Sequence, residues 1–246
     1  MAFRSNKRLI LIEAETSYGV EVSGSGDANT LDGVDAVLVR DLTITPQQSD
    51  VVSRDLIRPY FGASQQLLAN TRVECTFSVE LAGGGREGDP AATVTPRYSD
   101  ALLACGLSLA TSGSTHTYTP SSSSTASVTI HYNVDGILHK VTGCRGTLSL
   151  NANVGEIPTL DFTFTGIYNA PTSTAAVTPN YTRQSDPLLF KNGNTSNFSL
   201  YGFAGALQSF SFDLGNTTVY RELVGGTKEV LITDRSAGGS VSPPRS

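Results

Sequence analysis

Val73, Cys75, Phe77, Val79 and Leu81 fall on every second position, with Glu74, Thr76, Ser78 and Glu80 between them. Successive side chains on a strand point to opposite faces, so this period of two predicts a half-buried β-strand over Thr71–Leu81. The same beat recurs over Asp35–Thr45, Val128–Val134, Ile137–Cys144, Thr147–Val154, Leu160–Tyr168, Phe198–Phe203, Ser209–Leu214, Thr217–Val224 and Lys228–Thr233. Short strands at this spacing predict an all-β sandwich or barrel. Asp135-Gly136 stands between two of them and demands a turn with positive φ, which predicts a β-hairpin. A two-residue loop also fixes register: Val134 faces Ile137, Tyr132 faces His139 and His131 faces Lys140. On this pairing His139 belongs to the apolar face, and His131 is expected on an exposed polar face with Asn133 and Lys140.

Several segments break the alternation. Pro96–Leu107 carries Ala101, Leu102, Leu103 and Cys105 before Gly106. It predicts one short helix, about 98–106, capped by Ser99 or Asp100. Pro46–Asn70 is long, mixed and charged, and is expected to be a functional loop. Ser108–Ser127, rich in Ser and Thr, is expected to be a mobile surface connection. Gly83–Pro90 reads as a loose corner. The final SAGGSVSPPRS reads as a flexible tail, 236–246, after a single folded unit spanning about 8–235 of the 1–246 chain.

Composition narrows the function. Charged residues make up 16% and the net charge is −5, a poor balance for gripping nucleic acid by counterion release. The chain has no Trp and one Met, which argues against a sugar-stacking platform or a Met-rich groove. Cys75, Cys105 and Cys144 are too few and too scattered for a disulfide framework or a zinc site. Cys75, on the apolar face of its strand, is expected to be buried and inert. Arg4, Lys7 and Arg8 precede an apolar run, Leu9–Ile12, that is shorter than a signal-peptide core. The expectation is a soluble protein made in the cytoplasm, with no membrane association.

Catalytic patterns are missing. Gly83–Gly88 is followed by Asp89 and Pro90, an acid and a missing N–H where a phosphate loop needs Lys and amides. His131 and His139 lie on opposite faces of their hairpin and cannot share an ion. There is no G-x-S-x-G elbow and no H-E-x-x-H. Glu13 with Glu15, and Glu74 with Glu80, are evenly spaced carboxylates of the kind found on solvated strand faces. No enzyme activity, catalytic residue, metal or cofactor is expected.

The order of longer motifs carries a resemblance. KRLILIEAETSYG opens the chain at Lys7; Ser53–Asp55 (SRD) and VELAGGGREGDP follow, then SDALLACGLS, VDGILHKVTGCRGT, EIPTLDFTFTGIY, FDLGNTTVYREL and, at Leu231–Arg235, LITDR. Together they resemble the major tail tube proteins of bacteriophages, especially those with long non-contractile, siphophage-type tails. The chain stops soon after LITDR, where some relatives carry a further domain. The resemblance implies a two-sheet antiparallel β-sandwich with one helix and long loops. It also implies self-assembly as six-fold rings stacked into a hollow tube that conducts DNA from capsid to host, without specific DNA binding. Tail terminator, tape-measure and baseplate proteins are the implied partners, and the virion the implied location. Within that frame, Glu74, Glu80 and Asp41 are candidates for an acidic lumen that repels DNA, the alternative being that they face outer solvent. Arg54, Asp55, Arg58, Tyr60 and Phe61 are candidates for contacts between rings, Arg and aromatics being common interface anchors. The competing readings are a tail terminator or baseplate hub, a secretion-system tube protein, and a free β-sandwich binding module.

Overall fold

The run RLILIEA has apolar residues at consecutive positions, so its strand needs cover on both sides. In the computed structural model it has that cover: Ile10 and Ile12 enter the main core, while Leu9 and Leu11 pack with Val22, Leu31 and Ala36 on the opposite face. The structure describes residues 7–22, 31–84, 94–113, 115–123, 126–195, 198–200 and 202–243. Within them the strands are β1 (Arg8–Ala14), β2 (Arg40–Ser53), β3 (Gln66–Glu80), β4 (Leu107–Ser112), β5 (Thr115–Pro120), β6 (Val128–Val134), β7 (Ile137–Asn153) and β8 (Thr159–Tyr168). They continue with β9 (Thr172–Ser173), β10 (Ser199–Leu200), β11 (Phe203–Ala204), β12 (Ser209–Asp213), β13 (Asn216–Glu222), β14 (Lys228–Arg235) and β15 (Gly238–Ser242). One α-helix, α1 (Ser99–Ala104), lies between β3 and β4, and a 3-10 turn at Gly33–Asp35 stands where the expected Asp35–Thr45 strand would begin.

The fold is all-β and antiparallel. Its main sheet runs β1-β6-β7-β8-β3-β2, with β9, β12 and β15 attached through β7. The 17-residue β7 is the hub. Its first half pairs with β6, its last five residues pair with β12, and its other edge pairs with β8. The β6–β7 register is the one the two-residue turn dictates, Tyr132 opposite His139 and His131 opposite Lys140. Asp135 and Gly136 both take positive φ, 46° and 91°, as a type I′ turn requires. The apolar faces of β1, β6, β7, β8 and β3 share one core with α1, centred on the stacked rings of Phe77, Phe162 and Phe164. All three cysteines are free and buried there, and burial pushes the Cys75 thiol up to about 12.

Several expectations change. First, most of Pro46–Asn70 is strand: β2 and β3 form a long hairpin, and only Arg54–Gln65 is loop. Second, α1 is capped at Tyr98, without a side-chain hydrogen bond, so neither Ser99 nor Asp100 caps it. Third, much of the Ser/Thr-rich stretch is the β4–β5 hairpin, clasped by Ser108 against Thr119 at 2.9 Å. Fourth, Gly238–Ser242 is an edge strand on β12 and does not trail free. Fifth, His131 is buried and His139 is half-buried. The chain after β1 returns over the outer face of β6, and Glu21 Oε1 lies 3.1 Å from His131 Nε2 and 2.7 Å from Lys140 Nζ. The expected Phe198–Phe203 strand is two short strands, β10 and β11, paired with each other. Most of the glycine corner, 85–93, lies outside the described residues, as do 1–6.

Candidate assembly surfaces and the joints behind them

β3 pairs with β8 only from Arg72 to Glu80. Beyond Arg72 the β2–β3 hairpin runs on as a two-stranded arm for six more residues of β3, roughly 20 Å at about 3.3 Å per residue. An amphipathic hairpin buries one face, but this arm is apolar on both. Val51 pairs with Leu68 and Val52 with Leu67; neighbouring positions point to opposite faces, and all four side chains are exposed. At the tip Ile57 and Phe61 are 105% and 108% exposed, with Tyr60 and Leu56 also open. Arg54 Nη1 donates to Gln65 Oε1 at 2.9 Å, Ser53 Oγ to Asp55 Oδ1 at 2.7 Å and Arg58 Nη1 to Ala63 O at 3.3 Å. The polar groups of the tip thus shape the loop, while its large apolar side chains stand exposed. A two-stranded hairpin is marginal by itself, so this arm gains most of its burial elsewhere.

The five expected contact residues, Arg54, Asp55, Arg58, Tyr60 and Phe61, therefore all sit on the arm's tip. Sequence reasoning passed over Ile57, Val51, Val52, Leu67 and Leu68. The signal was present in the adjacent pairs Val-Val and Leu-Leu, which put an aliphatic side chain on each face of a strand.

The main sheet has a second exposed surface. Opposite the core, Glu74 lies between Thr45 and Thr165, and Ser78 between Arg40 and Asp161; Thr159 stands beside Glu80. Ser149 and Asn151 of β7 and Ser211 of β12 continue this face. It is a hydroxyl and carboxylate surface in which Glu74 and Glu80 are half-buried. Arg40 Nη1 is 3.6 Å from Glu80 Oε1, and Asn151 Nδ2 donates to Asp161 Oδ2 at 2.7 Å. Asp41 is exposed and takes φ 52° at the register shift between Arg40 and Thr43. The sheet thus brings Glu74 and Glu80 to one face, with Asp41 at its rim.

Two joints, one half-buried and one buried, hold these surfaces in place, and both are built from the motifs that carry the resemblance. The Glu15 carboxylate accepts four hydrogen bonds. Oε1 takes Gly143 N at 2.7 Å and Thr129 Oγ1 at 2.9 Å; Oε2 takes Ser127 Oγ at 2.6 Å and Gly19 N at 2.8 Å. Gly143, at φ 61°, sits in the irregularity between Thr142 and Arg145 where β7 changes its pairing with β8. A Cβ there would lie 2.8 Å from the Tyr18 hydroxyl. That hydroxyl donates to Gly143 O at 3.1 Å and accepts from Val230 N at 2.5 Å, and Arg145 lies 4.5 Å over the Tyr18 ring. Arg145 Nη1 also donates to Val230 O at 2.7 Å, which ties the β13–β14 ribbon to the sheet. Burial pushes the Tyr18 phenol up to about 12.

The second joint lies where β7 passes from β6 to β12. Asn216 Nδ2 donates to Gly146 O at 2.9 Å and Cys105 O at 2.6 Å, and its Oδ1 accepts from Arg235 Nε at 2.8 Å. Arg235 Nη2 donates to Gly106 O at 2.8 Å. Asn216 and Arg235, from FDLGNTT and LITDR, thus pin the end of α1 to the open edge of β7.

A rigid antiparallel body with an arm apolar on both faces defines a subunit of an assembly. A family profile described as phage tail tube protein matches residues 5–246, and the chain belongs to that family. It is a structural component of the phage tail, a class of protein that self-assembles into a tube. No curated protein matches the chain. Among the described residues no helix is long and apolar enough to cross a membrane.

Proposed function

We propose that this chain forms six-fold rings that stack into a long non-contractile tail tube, and that DNA passes through its lumen from capsid to host. The observation that carries this reading is the β2–β3 arm. It holds exposed aliphatic pairs on both faces and an apolar tip, a surface that a second copy can cover. Contacts through different patches on two identical subunits do not close on themselves, so they extend into a filament. Arg54, Asp55, Arg58, Tyr60 and Phe61 then act between rings. Subunits side by side within a ring bring sheet edges together and remove them as sites of uncontrolled pairing. The face carrying Glu74 and Glu80, with Asp41 at its rim, lines the lumen. Carboxylates repel phosphate, and neither they nor hydroxyls supply the cationic groups that would displace the counterions of DNA and hold it. Terminator, tape-measure and baseplate proteins meet the tube at its ends and interior. Synthesis and assembly take place in the bacterial host cytoplasm. The chain acts without catalytic chemistry or a cofactor.

Shortening the arm tests this. Ser53 and Gln66 are directly paired, so a two-residue Asn-Gly turn in place of Arg54–Gln65 closes the hairpin without strain. The expected product is a folded monomer, with the wild-type unfolding midpoint, that gives no tubes in negative-stain micrographs. Tubes of normal length from this variant would refute the arm as the contact between rings, and a wild-type chain that forms no tubes would refute the tube itself.

A further inference from the structure

Among the described residues, the core face of the main sheet is not fully covered. Leu150 and Ala152 of β7 and Phe210 of β12 point to the core side, but α1 covers the opposite half of that face. At this uncovered end the segment 181–190 forms a wall. Gln184 Oε1 accepts from Leu38 N at 3.1 Å, Phe190 N donates to Glu156 O at 2.9 Å and Gly155 N to Phe190 O at 2.9 Å. Between wall and sheet lies an open groove of about 1420 Å³. That exceeds the about 300–1,000 Å³ of small-molecule pockets and suits a stretch of polypeptide. Leu38, Leu81, Leu188 and Leu189 on its rim are exposed, and Asp186 is the one charged residue among the described residues lining it. The adjoining hollow adds Asp41, Glu156 and Asp161 against a single Arg40.

We infer that this groove receives the arm tip of a second copy of the chain, with Ile57 and Phe61 seated on the leucines and Arg58 set against Asp186. The inference rests on the stacking reading above and names the surface that reading leaves open. Three observations carry it. The tip is apolar and exposed, and the groove is open with exposed leucines on its rim beside polar residues such as Gln184 and Asn194, so each offers what the other lacks. Their charges are complementary, two arginines and one aspartate on the tip facing an acidic rim. The third is their placement. The groove lies by Leu38 and Leu81, at the start of β2 and the end of β3, and the tip lies at the other end of the same hairpin. β2 has 14 residues, so at about 3.3 Å per residue groove and tip are roughly 45 Å apart. A chain therefore cannot fill its own groove, whereas a copy shifted along the strand direction can.

The test places Ile57→Cys and Leu188→Cys in one full-length chain, whose native cysteines are buried. Mild oxidation of assembled material is expected to give a ladder of covalent oligomers on a non-reducing gel, because each copy gives one arm and receives one. The single-cysteine variants are expected to give no ladder. Tubes of the double variant without a ladder overturn the seating while leaving tube formation intact; a wild-type chain that never makes tubes overturns both. A charge-reversal pair covers the case in which the cysteine variant does not assemble. Asp186→Arg is expected to lower tube yield roughly tenfold, in line with coupling between close charge pairs across interfaces, and adding Arg58→Asp to restore it. Equal yields from the single and double charge variants overturn the contact.

Discussion

Replacing Glu15 measures how far the fold depends on one carboxylate. Glu15→Ala removes the acceptor for Gly143 N, Gly19 N and the hydroxyls of Ser127 and Thr129. The hydroxyls can turn to other acceptors, but the two backbone N–H groups cannot. Gly143 N is fixed by the irregular backbone it belongs to, in a buried residue. An orphaned buried donor costs about 1–3 kcal/mol; Gly143 N bears that cost in full and Gly19 N, in a half-buried residue, adds less, so the loss is about 2–4 kcal/mol. That is a large share of the roughly 5–15 kcal/mol that separates folded from unfolded states. Glu15→Gln keeps one acceptor oxygen and places an NH2 where the other stood. It orphans one N–H and is expected to cost about 1–3 kcal/mol. Urea unfolding of the monomer, followed by circular dichroism or by tyrosine fluorescence in a chain without Trp, gives both values. A loss below about 1 kcal/mol for Glu15→Ala, or a Gln variant less stable than the Ala variant, would refute the assignment of Glu15 as the joint's acceptor.

Three further outcomes are expected. Gly143→Ala combines a left-handed backbone with a Cβ 2.8 Å from the Tyr18 hydroxyl; it should lower stability by about 2–5 kcal/mol, and an unchanged melting temperature would contradict this. Burial beside Asp100 and Asp35 pushes the Glu13 carboxyl up from 4.5 to about 8. The folded state then holds a proton that the unfolded chain releases, so this group's contribution to stability is lost as pH rises from about 4.5 to 8. Glu13→Gln should flatten that decline, and urea midpoints at pH 5 and pH 8 that fall in parallel for the variant and wild type would exclude it. Glu74→Lys with Glu80→Lys puts phosphate-binding charge on the proposed lumen face; assembled particles should deliver DNA poorly, and unimpaired delivery would place those residues elsewhere.

The strands and the β6–β7 register were legible because alternation and a two-residue turn are local signals. So was the burial of Cys75, whose neighbours at every second position are apolar. The burial of His131 was not, since its cover comes from Glu21, some 110 positions earlier, and no local pattern records that return. The arm was misread as loop because a hairpin apolar on both faces lacks the polar partner positions that mark a strand. Ser108–Ser127 misled in another way: its composition is that of a connection, while cross-strand hydroxyl bonds make part of it a hairpin. Glu15 looked like one of a pair of solvated carboxylates with Glu13. Both point inward instead, Glu15 onto the bend in β7 and Glu13 toward Asp35 and Asp100.

The pairing of β1 with β6 has a consequence for synthesis. Arg8 meets Val134 and Ala14 meets Val128, so the first strand leaves the ribosome long before its partner exists. At about 5–20 residues per second, that delay is roughly 6–25 s. During it Leu9–Ile12 is an uncovered, strongly β-forming run, and crowding by sister chains on neighbouring ribosomes favours premature pairing. Lys7 and Arg8 on one side and Glu13 and Glu15 on the other flank the run with charge, the placement that slows such pairing. The same Glu15 that later locks the bend in β7 thus first serves as a gatekeeper for the nascent chain.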